Sequence, residues 1–457
     1  MNLRSVFTLL VIFMSLALIA DARISESPPI LKDGDKVVFY GDSITHHNDY
    51  VAYLYLFYAT RYPEARIQFR NAGVGGNRTS SALPRFKQDV VEQSPSHVAV
   101  LFGMNDGNQR AFDATAYQAF QKGIGTILDR IQAETKAKAM LLTPTYFDYP
   151  IRAQHLEAGQ TADPGYNEVL VGFGNFLKSI GKEKGLRVID LNEPMVQVTR
   201  RLQNADPKAS LIRDGVHPLP EGHFVMAHAI LQGLDVAGTV SDLHIDVVKH
   251  IQRAERCLAT DLTTAPDAAC FTLLQEALPF PHPDELREIL RLLAFDETLN
   301  RERLRISGLN AGEYRLIIDG EAVGMFSDEQ FSEGLELASN PATPQYLQAM
   351  TIKKLWCDWR KLVKQNRDFR WMEKTRGYRR PDGTYPSDRI GTLIIGESNE
   401  VVQVSGEQWQ QRFDALAVGA DEVLRSIADI EERIYATARP RPHRYEIRPA
   451  SSSPATS

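Results

Sequence analysis

Short runs of Val, Ile, Leu and Phe alternate with longer stretches of mixed polarity from Lys36 to about Leu234. Residues 36–40, 66–70, 97–102, 139–142 and 186–189 are apolar and β-branched at the right length for strands. Residues 49–61, 80–93, 111–136, 166–184 and 222–234 carry helical spacing, so strand and helix alternate five times. That order predicts a parallel sheet with helices on both faces. In such sheets ligands bind beyond the carboxyl ends of the strands, near the point where strand order reverses.

The texture changes after Leu234. Residues 240–300 read as amphipathic helices, most clearly at 285–293, where apolar residues recur at helical spacing. Residues 303–307, 314–318 and 322–326 read as a short antiparallel meander with a tight turn at Asp319-Gly320. Helices resume over 344–374 and 407–437, and residues 439–457, with four prolines and four serines, read as a disordered tail. The fold class expected is α/β: a flavodoxin-like three-layer sandwich on a five-stranded parallel sheet, then a mostly helical C-terminal region, 240–435, with the meander at 303–326. Ile352, Leu355, Trp356, Trp359 and Leu362 fall at helical spacing. That pattern makes the tryptophans a core stripe in preference to an aromatic platform for sugars.

The first residues stand apart. A positive start at Met1–Arg4, an apolar run of 15 residues from Val6 to Ala20 and the small-x-small pattern Ala20-Asp21-Ala22 read as a signal peptide, 1–22, cut after Ala22. The run is shorter than the ~20 residues needed to span a bilayer. A secreted or periplasmic protein is expected, with no stable membrane insertion of the mature chain.

Composition narrows the class further. The 457 residues are 43% hydrophobic, 24% charged and 9% aromatic, which excludes collagen-like, coiled-coil and wholly disordered chains. Fifty-two basic against 58 acidic residues give a formal charge of -6, and this argues against nucleic-acid or anionic-membrane partners. Cys257, Cys270 and Cys357 are too few and too scattered for a structural zinc site. Cys257 and Cys270 are either a disulfide or two small core residues, and the sequence leaves both open. Oligomeric state is likewise open.

Four blocks carry candidate chemistry because each follows an expected strand or the loop after one. Gly41-Asp42-Ser43-Ile44 sets a hydroxyl on a turn after the first strand, where it can meet solvent but needs a base to become a nucleophile. Asn71 to Asn77 is glycine-rich, allows close backbone approach, and matches neither a dinucleotide nor a Walker loop. Gly103-Met-Asn-Asp106 offers a side-chain amide to a developing oxyanion. Asp214-Gly-Val-His217 sets a carboxylate three residues before an imidazole, near enough to orient it. With strand order 2-1-3-4-5, the loops bearing Gly76, Ser43 and Asn105 lie side by side.

These blocks, in this order, resemble those of the SGNH hydrolase superfamily, the GDSL-type esterases and lipases, over roughly residues 33–238. Ile44 stands where the family's nickname has Leu. The resemblance implies Ser43 as nucleophile, Asp214 and His217 as acid and base of the triad, and Ser43, Gly76 and Asn105 as oxyanion-hole donors. It also implies an acyl-enzyme mechanism that requires no metal and no organic cofactor. The leading expectation is a secreted esterase acting on short acyl, chiefly acetyl, esters of carbohydrate, with a small-molecule or polysaccharide ester as its partner. The alternatives are a lipase or phospholipase-type acylhydrolase, and a non-catalytic carbohydrate-binding protein that retains the fold. His46 and His47 are either substrate contacts or solvated turn residues. A metal cluster of Asp214, His217, His223 and His228 is the weaker reading, and Asp106 and Asp190 are expected to brace loops.

Overall fold

A computed structural model describes residues 30–375, 391–395, 400–404 and 406–450. The signal segment 1–22 and the last residues of the tail lie outside the described residues.

Five parallel strands, β1 (Lys36–Gly41), β2 (Gln68–Gly73), β3 (His97–Leu101), β4 (Lys138–Leu142) and β5 (Arg187–Ile189), form one sheet in the order β2-β1-β3-β4-β5. This is the expected flavodoxin-like order. Val37, Val38, Phe39 and Tyr40 of β1 are all buried, as a central parallel strand covered on both faces requires. Gly41 stands opposite both Gly73 and Leu101, so β1, β2 and β3 end at one level and their following loops meet.

The main helices are α1 (Asp49–Arg61), α2 (Ala114–Glu134), a short α3 (Tyr149–Gln154), α4 (Tyr166–Lys184), α5 (Asn192–Gln203) and α6 (Pro220–Gly233). Helices α2 and α4 meet through stacked Phe120 and Phe173, and α1 meets α6 through Tyr53 against Phe224. The helix expected over 80–93 is instead four short helical turns from Thr79 to Gln93. Pro84 is one cause, since it has no N–H to continue the ladder.

The C-terminal half differs from the pattern-based reading in two places. Residues 239–275 are not helices but four strands, β6 (Thr239–Asp246), β7 (Ile251–Glu255), β8 (Cys257–Ala265) and β9 (Ala268–Gln275). Along β9, Ala269, Phe271, Leu273 and Gln275 are buried in alternation, a period of two that a helical count overlooks. Helical structure begins only at Asp284, with a single turn followed by Arg287–Leu292. The second correction concerns the tail, because His443–Pro449 is a strand paired on both sides. Its alternation buries Tyr445 and Ile447, which the proline and serine count of the whole tail obscured.

The meander β10 (Arg301–Ser307), β11 (Glu313–Ile318) and β12 (Glu321–Ser327) is split between two sheets. With β13 (Leu335–Glu336), β14 (Gly391–Ile395), β15 (Glu400–Val404) and β16 (His443–Pro449), the sheet orders are β13-β10-β6-β7, β12-β11-β16-β9-β8 and the hairpin β14-β15. The first two enclose a core of their own around Phe271, Ile306 and Tyr445. Cys270 pairs with Thr263, and Cys257 lies six residues further along β8. At the strand rise that is roughly 20 Å, far beyond disulfide reach. All three cysteines are free thiols.

Helices α7 (Pro344–Thr375), α8 (Gly406–Val418) and α9 (Ala420–Ala438) complete the chain. Helices α7 and α9 pack in the same core as the parallel sheet. Trp356 donates its indole N–H to the Ala52 carbonyl at 2.9 Å, and Trp359 stacks on Tyr55 with ring centroids 4.4 Å apart. Both tryptophans are core residues as the spacing predicts; the side chains of Trp371 and Trp409 lie outside the described residues. Helix α1, Asp-Tyr-Val-Ala-Tyr-Leu-Tyr-Leu-Phe-Tyr-Ala-Thr-Arg, is buried at every position because the sheet covers one side and α7 with α9 cover the other. Among the described residues no helix is long and apolar enough to cross a membrane.

Candidate active site

Ser43 opens a single helical turn, Ser43–His46, directly after β1. Asp42 caps that turn by accepting the Ile44 N–H at 3.0 Å. The turn sits so tightly that a Cβ on Gly41 would lie 2.3 Å from Thr45 Oγ1, and one on Gly73 would lie 2.2 Å from the His46 nitrogen. Glycine is therefore needed at the ends of both β1 and β2.

His217 brings its Nε2 to 2.9 Å from Ser43 Oγ, and its Nδ1 to 2.8 Å from Asp214 Oδ2. The other carboxylate oxygen of Asp214 accepts the N–H groups of Val216 at 3.0 Å and His217 at 2.8 Å. With Asp214 holding the proton on Nδ1, Nε2 is left to accept from the serine hydroxyl. Burial opposes the Asp214 charge, yet the bonds and charge of His217 outweigh it and hold the carboxyl well below the usual carboxylate range.

Gly76 has φ 69, in the left-handed region, and nothing stands within 4 Å of where its Cβ would be, so its backbone faces open space. Asn105 Nδ2 donates to the Asn77 carbonyl at 3.0 Å and leans toward Asp42 Oδ2 at 3.4 Å. The second contact is long and weak, the kind that an incoming oxyanion can replace. The carboxyl of Asp42, fully buried beneath the nucleophile, is pushed up to about 7 by that burial.

His46 and His47 are both buried and neither is a solvated turn residue. The His47 ring lies 5.1 Å from that of His217 and 6.1 Å from that of His223. Burial holds His47 well below the ordinary histidine range and brings His223 down to about 4, so a neutral imidazole backs the ring of His217 and a second lies beside the first. Among the described residues no group of His, Cys, Asp and Glu is arranged to hold a metal ion. Asp106 braces the segment after Gly76 by accepting from the Thr79 N–H at 3.0 Å and hydroxyl at 2.7 Å. Asp190 accepts from Thr143 Oγ1 at 3.1 Å and from the Asn192 N–H at 3.0 Å.

Sequence reasoning overlooked Arg85. Its guanidinium donates to the carbonyls of Gly41 at 2.8 Å and Ala72 at 2.7 Å, to Asn77 Oδ1 at 2.7 Å, and pairs with Asp89 at 2.7 Å. One side chain thus ties the strand end before Ser43 to the loop that carries Gly76. Its (i, i+4) spacing from Asp89 was visible, but the two strand-end carbonyls were not. Asp49 was also overlooked; it is nearly buried and pairs at 3.0 Å with Arg360 of α7.

A hydroxyl, an imidazole and a carboxylate in a row at the carboxyl edge of a parallel sheet, beside backbone and amide donors, is the equipment of a serine-type hydrolase. Residues 39–224 match the model of the GDSL-like lipase/acylhydrolase family. An acetylxylan esterase from Geobacillus stearothermophilus is 27% identical over 214 residues, which are 44% of this chain and 93% of that protein. Residues 39–224 accordingly carry an SGNH-type, GDSL-like hydrolase domain, and the chain is a carboxylic ester hydrolase. The solved structure of a gut microbial diltiazem-metabolizing enzyme is 23% identical, superposes over 93% of this chain and 99% of that chain, and gives a TM-score of 0.75. That likeness is one of fold, and it extends through the C-terminal half.

Proposed function

We propose that the protein is an exported serine esterase that removes short acyl groups, acetyl above all, from carbohydrate, with Ser43 as nucleophile. The observation that carries the reading is the 2.9 Å approach of His217 Nε2 to Ser43 Oγ, with Asp214 on the opposite ring nitrogen. Ser43 Oγ attacks the ester carbonyl as its proton passes to His217, and the oxyanion takes hydrogen bonds from the N–H groups of Ser43 and Gly76 and from the Asn105 amide. Collapse expels the alcohol, which takes the proton back from His217, and water repeats the sequence on the acyl-enzyme. Carbohydrate as the alcohol part is supported by the acetylxylan esterase relative, and export by the composition of residues 1–22.

Ser43→Ala lowers kcat on 4-nitrophenyl acetate by ~10,000-fold or more while thermal unfolding stays within a degree or two. Hydrolysis that survives this substitution overturns the reading. A rate that falls steeply as the acyl chain lengthens supports acetyl specificity, and a rate that rises with length excludes it.

A further inference from the structure

The loops beside Ser43 carry two arginines, Arg78 and Arg152, that form no ion pair among the described residues. After Asn105 the chain passes through Asn108 at φ 57 and Gln109 at φ 55, both in the left-handed region. Asparagine adopts that conformation readily; glutamine does so at a cost of about 1 kcal/mol or more. The turn sends the two side chains to two arginines. Asn108 Oδ1 accepts from Nη2 of Arg78, two residues beyond Gly76, and Gln109 Oε1 accepts from Nε of Arg152 at 2.8 Å. Arg152 belongs to α3, which lies against the loop of the catalytic pair so closely that a Cβ on Gly215 would meet the Arg152 Cβ at 2.3 Å.

Both guanidinium groups are positioned by neutral amides, which hold them in place without neutralising them. Neither arginine takes part in any ion pair among the described residues, and their remaining N–H groups have no bond to the protein there. The neighbouring carboxylates are engaged elsewhere. Asp163 accepts the Gly165 N–H at 2.8 Å and Asp214 is paired with His217, while Asp106, buried against Thr79, feels the charge of Arg78 without forming an ion pair with it. A chain with a net charge of -6 thus keeps two guanidinium groups without an ion pair on the segments next to Gly76 and Gly215.

We propose that Arg78 and Arg152 form an anion subsite there, which receives a carboxylate carried by the alcohol part of the ester, as in an O-acetylated saccharide containing uronic acid. The inference rests on the ester-hydrolase reading of Ser43 and goes beyond it by naming the charge of the substrate. Guanidinium groups suit this task because their N–H fork matches a carboxylate, and a pair set on either side of the Asn108–Gln109 turn can align a sugar across the nucleophile.

Turnover of an O-acetylated oligogalacturonide and of an O-acetylated xylo-oligosaccharide, measured with the full chain at low ionic strength, tests the subsite. The ratio of kcat/KM favours the anionic substrate by about tenfold or more, and Arg78→Gln or Arg152→Gln lowers that ratio by about tenfold each. Arg→Lys at either position recovers part of it, and added salt narrows it. Calorimetric titration of the Ser43→Ala protein needs no turnover. De-esterified oligogalacturonide binds more tightly than the neutral xylo-oligosaccharide, and adding Arg152→Gln erases the difference. Equal binding of the two oligosaccharides, or variants that lose both substrates in the same proportion, overturns the subsite. Turnover of 4-nitrophenyl acetate, whose alcohol part has no carboxylate, reads the esterase assignment separately, so the two ideas fail independently.

Discussion

The parallel sheet of residues 36–189 and the paired sheets of residues 239–449 are both made of short strands, but their partners lie at different distances along the chain. In the first, β1 pairs with β2 and β3, each reached through the helical segment that follows a strand. In the second, β16 threads between β9 and β11, so that Ile447 stands opposite Ala269 on one side and Leu316 on the other. The same contrast holds for helices. Helix α2 hides one stripe against the sheet, whereas α1 is apolar around its whole circumference and needs α7 and α9, some three hundred residues later, to cover its outer side. The halves are therefore not two independent modules, since the first depends on the second for part of its core.

The strongest challenge to that view is a chain ending at residue 240. It leaves Tyr53, Tyr55 and their neighbours on α1 open to water and deprives the buried Arg61 guanidinium of the Leu299 carbonyl that it reaches at 2.9 Å. We expect no cooperative thermal transition and no hydrolysis from that fragment; a folded, active fragment would show the halves to be separable. Next in size, Trp356→Ala should cost about 3–5 kcal/mol of stability, read by denaturant unfolding, because it opens a cavity between α7 and α1. A loss below about 1 kcal/mol would mean that α7 is peripheral to the core.

Arg85→Leu strikes the first half alone. It removes the guanidinium that bonds the carbonyls of Gly41 and Ala72 and pairs with Asp89, so stability should fall by about 2–4 kcal/mol. Turnover should fall about tenfold as the loop bearing Gly76 loosens, at a temperature where the variant remains folded.

The smallest effect belongs to the second half. Glu302, buried with Gln275 and Gln345 donating to it, has its carboxyl pushed up to about 7 by that burial. The folded state thus keeps a proton that the unfolded chain releases near pH 4, and stability is lost as pH rises between about 4 and 7. Glu302→Gln removes the titration and keeps an acceptor for both donors. Its advantage over the parent protein should grow through that window and level off above it, by roughly 1–3 kcal/mol in unfolding measurements.

Legibility followed the same division. The strands and most helices of the first half could be read because each βα unit completes most of its hydrophobic pattern within roughly thirty to fifty residues. In the second half the alternation along β9 and β16 was present, yet a strand that is buried by distant partners resembles a short helical or polar segment when read alone. Cys257 and Cys270 illustrate the limit well. Their spacing in sequence was compatible with a bridge, and only the register of β8 against β9 separates them.

For the candidate site, residue types and their places after strands were enough to single out Ser43, Gly76, Asn105, Asp214 and His217, because a hydroxyl, a glycine turn, an amide and a carboxylate–imidazole pair each do recognisable chemistry. What surrounds them was decided by tertiary structure alone. Arg85 gripping two strand ends, the neutral His47 behind His217, and the amides that position Arg78 and Arg152 all depend on distances between segments far apart in the chain. Local pattern encodes what a residue prefers and which chemistry it can offer, but desolvation and hydrogen-bond partners arise only when remote segments close on it.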